Sequence, residues 1–194
     1  MTGRRYEDED FGFLESESDA ELVAEAFALG TTPVAPSAAL KARLFESLER
    51  DERALARFGA FVDVFSRVTD LSRARVLDLL GEVERRAGWD KGYTAGFRFL
   101  HFAAGPRCSE AYPGLVWLEG SFRFPLHRHT GKETVLVLEG ELYDLTSGVV
   151  AQAGGLIEME TNSVHAYRAG ASGLLFLVVL EKGIEMLEPG EPFE

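Results

Sequence analysis

From about Thr94 onward the chain is cut into short apolar runs: "FRFLHF", "GLVWLEG", "FRFPLHRH", "ETVLVLEGELYDL", "GVVAQAGGLIEME", "SVHAYRA" and "GLLFLVVLEKG". Glycine, proline and small polar residues divide them. Runs of that length, many of them alternating, read as strands, and their close spacing points to an antiparallel sandwich or barrel. Two of them, "TVLVLEGEL" and "LLFLVVL", are apolar on both faces. A strand with one wet face alternates, so these two are expected to be covered twice, by a barrel interior on one side and by helices or a second subunit on the other. On that ground a homodimer is expected.

Upstream the pattern is helical. Asp19 can cap "AELVAEAFAL", with Gly30 at its end, and "TTPVAP" breaks the chain before Ser37 caps "AALKARLFESLERDERAL", in which Leu40, Leu44 and Leu48 form one stripe. Further on, Val76, Leu79, Leu80 and Val83 recur at helical spacing, with Asp70 or Ser72 available as the cap. The two helices around "TDLS" have the outline of a helix-turn-helix. However, Arg73, Arg75, Arg85 and Arg86 are offset by Asp78, Glu82 and Glu84, so the pair is read as an ordinary packing unit. The fold class is therefore α+β, a helical segment followed by an all-β barrel. The expected division is an acidic disordered arm over 1–18, helices over 19–92, the β domain over 93–186 and an acidic tail over 187–194. In the arm, like charges crowd a segment with few branched aliphatics, so burial cannot offset its ordering entropy. Tyr6, Phe11, Phe13 and Leu14 are the residues by which it would dock on a partner.

Charge and cysteine content remove several function classes. A formal net charge of -12 opposes phosphate-backbone binding and suits a basic protein partner instead. The single cysteine, Cys108, excludes an internal disulfide and a thiolate-rich zinc cluster. "LLFLVVL" is far shorter than the roughly 20 residues that span a bilayer, and the acidic N-terminus lacks signal-peptide features, so the cytoplasm is the expected location. GxGxxG, GxxxxGK[ST] and GxSxG are all absent.

Chemistry concentrates in "HRHTGKE", residues 127–133. Side chains two apart on a strand point the same way, so His127 and His129 project together; Glu133 has the same parity, and Gly131 permits a turn between them. His165, on a later strand, can be placed opposite by an antiparallel sheet. Neutral imidazoles and a carboxylate suit zinc, iron, nickel, copper or manganese. His101 shares a face with Phe97 and Phe99 and is read as a packed sheet residue, and Cys108 as a loop or edge thiol beside Arg107. If the His127 face points inward, Val135 and Val137 share its side, and Phe122, Phe124 and Tyr167 can wall a pocket for a small organic ligand.

The run "HRHTGKETVLVLEG" resembles the first cupin motif, HxH, three residues, Glu, six residues, Gly, and "GGLIEMETNSVH" is similar to the second, with His165 at its histidine. The resemblance covers roughly residues 94–183. It implies a double-stranded β-helix barrel with His127, His129, Glu133 and His165 as ligands of one divalent metal, zinc first, with iron, manganese or nickel as alternatives. Glu160, Asn162 and Ala169 stand where the second motif usually has proline, glycine and asparagine, and Asn tolerates the left-handed backbone a tight turn needs. More narrowly, "FRFLHFAAGPR" and "FPLHRHTGKETVLVLEGELYD" after a helical half resemble the ChrR-type cupins of zinc-dependent anti-sigma factors. That implies a non-enzymatic regulator whose helices engage a sigma factor and whose cupin senses a small molecule. The HxxxCxxC zinc motif of those proteins is missing here, because no His or Cys precedes His101. The alternative reading is a metal-dependent dioxygenase, since His and Glu ligands with an open position suit oxygen activation by iron.

Overall fold

A computed structural model describes residues 35–92 and 94–187, together with Glu21, Glu25 and Gly30. The acidic arm with its four apolar residues, the helix expected after Asp19 (apart from those three residues) and the acidic tail beyond Leu187 lie outside the described residues. Residues 1–44 and 45–194 form two compact units.

Helix α1, Ala38–Phe58, starts where the cap was expected: the Leu40 N–H donates to Ser37 Oγ at 3.1 Å. A single 3-10 turn follows, and then α2, Val62–Thr69, closes on Asp70, whose φ of 56° is left-handed. Ser72 begins α3, Arg73–Gly81, by accepting the Arg75 N–H at 3.3 Å, and the chain continues as a 3-10 segment to Gly88. Asp70 also accepts the Arg107 N–H (2.9 Å) and Nε (2.7 Å), tying the α2–α3 corner to the loop ahead of the third strand.

Among the described residues nine strands make one antiparallel sheet: β1 Asp90–Lys91, β2 Phe97–His101, β3 Tyr112–Leu118, β4 Arg123–His129, β5 Glu133–Asp144, β6 Val150–Gln152, β7 Leu156–Met159, β8 Val164–Leu180 and β9 Ile184–Met186. β8 organises the sheet. One of its edges carries β5 along most of its length, while the other is shared by β4, against residues 164–168, and β3, against residues 174–180. "SVHAYRA" and "GLLFLVVL" are thus not two strands, as their spacing suggests, but one bent strand. Glycine makes the bend. Gly173 has φ 93° and Gly140 of β5 φ 79°, and a Cβ on Gly140 would sit 2.0 Å from the Gly173 carbonyl oxygen. The two backbones can pass this closely only without side chains there.

Alternation along β5 and β8 explains the doubly apolar runs. Leu136, Leu138, Leu175 and Leu177 face out and pack with Phe58, Val62, Phe65, Val76, Leu79 and Leu80 of the helical segment. Val135, Val137, Leu174, Phe176 and Val178 face the other way, with Phe124 and Tyr167. Of the two covers considered, helices supply the outer one. Among the described residues no helix is long and apolar enough to cross a membrane.

Candidate metal centre

The two-residue period of β4 turns His127 and His129 to the inner face, and Glu133 opens β5 after the turn at Gly131. Antiparallel register then places His165, the second residue of β8, directly opposite His127. All four side chains are buried, with exposures of 2%, 0%, 8% and 5% for His127, His129, Glu133 and His165. Their ring centroids stand 4.6–5.0 Å apart, and one ligand-capable atom from each lies within 4.8 Å of all the others. The positions read from the sequence as one site therefore meet.

Outer partners orient the rings. Nδ1 of His127 lies 2.9 Å from the Pro125 carbonyl oxygen, and Nδ1 of His165 lies 2.7 Å from Asp144 Oδ2, which leaves Nε2 of each for a ligand. Asp144 is itself held, its Oδ1 accepting the N–H groups of Thr146 (2.9 Å) and Ser147 (2.8 Å). Carboxylate–histidine pairs of this kind fix the tautomer and raise the basicity of a metal-binding imidazole. Asp144 was not singled out in the sequence: in "YDLTSG" it reads only as a turn residue, and its reach to His165 depends on the β5–β8 register.

The donor set fits a divalent cation. His165 Nε2 and both nitrogens of His129 are buried without a hydrogen-bond partner, and His129 Nδ1 lies 3.1 Å from Glu133 Oε2 without hydrogen-bond geometry. Buried polar atoms rarely stay unsatisfied, and a cation between them would satisfy one nitrogen of His129, Nε2 of His165 and the carboxylate together.

Electrostatics agree with this arrangement. Burial pushes the Glu133 carboxyl up to about 8, and burial, reinforced by the neighbouring imidazoles, lowers His127 and His129 to about 4. Burial also works to raise Asp144, but the Ser147 N–H, the His165 ring and the Thr146 N–H outweigh it and hold the carboxylate below its ordinary range. Near neutral pH His127 and His129 are already unprotonated while Glu133 keeps its proton. Cation uptake must expel that proton, so Glu133 should release roughly one proton per ion near pH 7, falling to none above about pH 9. Calorimetry of metal binding in buffers of different ionisation enthalpy measures this number. A value near zero at pH 7 would mean that Glu133 is not a ligand.

Beside the cluster, on the side of His127 and Glu133, opens a chamber of about 500 Å³ walled by Phe97, Phe99, Phe124, Tyr167, Phe176 and Val178. Phe124 and Tyr167 line it, as the sequence suggested. Val135 and Val137 pack in the barrel core instead, and Phe122 stacks on Phe97 at 6.1 Å. His101 lies outside the cluster, edge-on to Phe99 at 4.7 Å on the chamber wall. The Cys108 thiol points to the Val68 carbonyl oxygen at 3.6 Å, and Arg107 is engaged by Asp70.

No protein-family model matches the chain, and no curated protein matches it. Solved structures do. An RmlC-like cupin protein from Ralstonia eutropha JMP134 is 16% identical, with 55% of this chain and 69% of that one covered and a TM-score of 0.48. A putative acetylacetone dioxygenase from Methylibium petroleiphilum PM1 is 17% identical over 55% of this chain and 79% of that one, TM-score 0.47. The structure of Rhodobacter sphaeroides SigE in complex with the anti-sigma ChrR is 22% identical over 84% of this chain and 77% of that one, TM-score 0.47. The chain itself is a helical segment followed by a curled antiparallel sheet.

Proposed function

We propose that this protein is a metal-dependent regulator in which a cupin domain, residues 93–186, reads a small molecule, and the helical region, residues 19–92, engages a sigma factor or another basic protein. His127, His129, Glu133 and His165 would hold one divalent ion, zinc first, with iron, manganese or nickel as alternatives. The observation that carries the reading is the group of buried imidazole nitrogens without partners around Glu133. Bound there, the ion supplies an electrophilic centre for a ligand oxygen. The chain's own part is to keep His165 oriented through Asp144, His127 through the Pro125 carbonyl, and water away through the aromatic wall.

Support for a protein partner comes from the ChrR-type sequence resemblance and from α1. Phe45, Leu48 and Leu55 are 63%, 50% and 47% exposed on that helix, among Glu46, Glu49, Asp51 and Glu52. Arg53 and Arg85 pair with Glu49 and Glu46, so the strip is an exposed apolar surface with charges of both signs at its edge, of the kind that meets a protein partner. A cytoplasmic homodimer is part of the same proposal. Co-purification of the full chain with candidate sigma factors tests the regulatory half: a complex that loosens when the metal is removed is expected, and no complex under either condition would overturn it.

One observation favours a second reading. His127 and Glu133 belong both to the cluster and to the chamber wall, so a ligand in the chamber would reach the ion. A metal-dependent dioxygenase acting on a small organic substrate would be built the same way. Iron-loaded protein offered β-diketones or thiols should then consume oxygen, and no uptake across such a panel leaves the regulatory reading alone.

A further inference from the structure

The chamber's polar inventory is small, and one member of it is idle. Tyr167 lies two residues beyond His165 on β8, so it shares that histidine's face. Its ring is fixed on several sides: stacked on Phe124 at 5.0 Å and 8°, edge-on to Phe176 at 6.2 Å, and 5.5 Å and 6.0 Å from the rings of His165 and His127. The residue is only 8% exposed, yet among the described residues its hydroxyl has no hydrogen-bond partner.

Two polar aromatics outside the chamber do have such a partner. The Trp89 indole N–H donates to the Glu82 carbonyl at 3.1 Å, and the Tyr143 hydroxyl donates to Glu141 at 2.6 Å. Phenylalanine at position 167 would pack against the same rings with no hydroxyl to satisfy. A hydroxyl that no described residue engages, on a ring held rigidly in the wall of a cavity beside a metal-type cluster, is placed to donate to a ligand in that cavity.

We propose that Tyr167 is a ligand-positioning donor, and that the chamber takes a small, uncharged, apolar molecule of aromatic size carrying one oxygen acceptor. That oxygen accepts the Tyr167 hydrogen bond next to the cluster, and the apolar body lies against Phe97, Phe99, Phe124 and Phe176. Glu133 and His127 face the cluster, His101 lies edge-on to Phe99, and Tyr112 and Lys182 are the remaining polar residues along the wall. The apolar wall therefore favours a neutral body. This inference deepens the small-molecule half of the proposed function and rests on it.

The test uses the full zinc-loaded chain and two probes of the same outline, 4-fluoroacetophenone and 1-ethyl-4-fluorobenzene, which differ in the carbonyl oxygen. Fluorine NMR titration reads both affinities, with metal content measured on the same samples. The ketone should bind about tenfold more tightly than the hydrocarbon, the size of effect one hydrogen bond to a buried group gives. Tyr167→Phe should erase that preference and leave hydrocarbon affinity and zinc content unchanged. Equal affinities in the unchanged protein, no binding of either probe, or a preference that survives Tyr167→Phe would each overturn the assignment. A chain that takes up no zinc but still prefers the ketone through Tyr167 overturns the metal reading and upholds the donor.

Discussion

Protein in which His127 and Glu133 are both replaced by alanine should purify without the divalent ion that the unchanged chain is expected to carry at close to one per molecule. The argument is geometric. Four ligand-capable atoms lie within 4.8 Å of one another, and removing two of them leaves His129 and His165, too few for a closed protein site. Affinity should fall by at least about a thousandfold, beyond the 10–100-fold typical of losing an outer partner. Asp144→Asn supplies that milder case, because the amide keeps the shape of the turn but loses the charge that meets His165 Nδ1 at 2.7 Å. It should weaken binding by roughly 10–100-fold without abolishing it. Mass spectrometry of metal content, on protein purified without a metal-binding tag, measures all three. Zinc in the unchanged chain would favour the regulator, and iron or manganese the oxygenase. Absence of metal from the unchanged chain, or full retention by the double variant, would remove the site.

Much of this centre was legible in the sequence because strand periodicity is rigid. Once "FRFPLHRH" is a strand, His127 and His129 must share a face, and Glu133 keeps that parity across the turn. His165 is different: no local rule places it opposite His127, an antiparallel sheet merely permits that pairing, and the resemblance to a known motif selected it. Asp144 was hidden for the same reason, since which turn residue meets which histidine depends on register set far away in the chain. Local chemistry was reliable at Ser37 and Ser72, both of which cap helices, and at Asn162, which adopts φ 67° where left-handed backbone was expected. It misled at Gly170 and Gly173. Glycines after an alternating run read as a strand end, but here they bend a strand that continues, because β5 offers partners on both sides of the bend.

That bend leads to a stability prediction that separates two costs of a side chain. Gly140 and Gly148 have nearly the same backbone, φ 79° and 76°, so alanine at either must adopt the left-handed conformation. That alone costs about 1–2 kcal/mol. At Gly148, in the turn after Asp144, a Cβ meets nothing within 4 Å, so no further loss is expected. At Gly140 the Cβ would stand 2.0 Å from the Gly173 carbonyl oxygen and 3.2 Å from Leu174 Cα, both backbone atoms that cannot rotate away. Separating β5 from β8 is the remaining response, and forced shifts of this kind add about 1–3 kcal/mol. Gly140→Ala should therefore lose roughly 2–5 kcal/mol in denaturant unfolding, and Gly148→Ala no more than about 2. In a domain of ordinary stability, about 5–15 kcal/mol, the larger loss threatens folding at growth temperature. The two strands that cross there also carry Glu133 and His165, so Gly140→Ala should weaken metal retention even where the protein still folds, while Gly148→Ala should not. Equal losses from the two substitutions would show that the crossing relaxes freely, and that the glycine pair does not set the spacing on which the cluster depends.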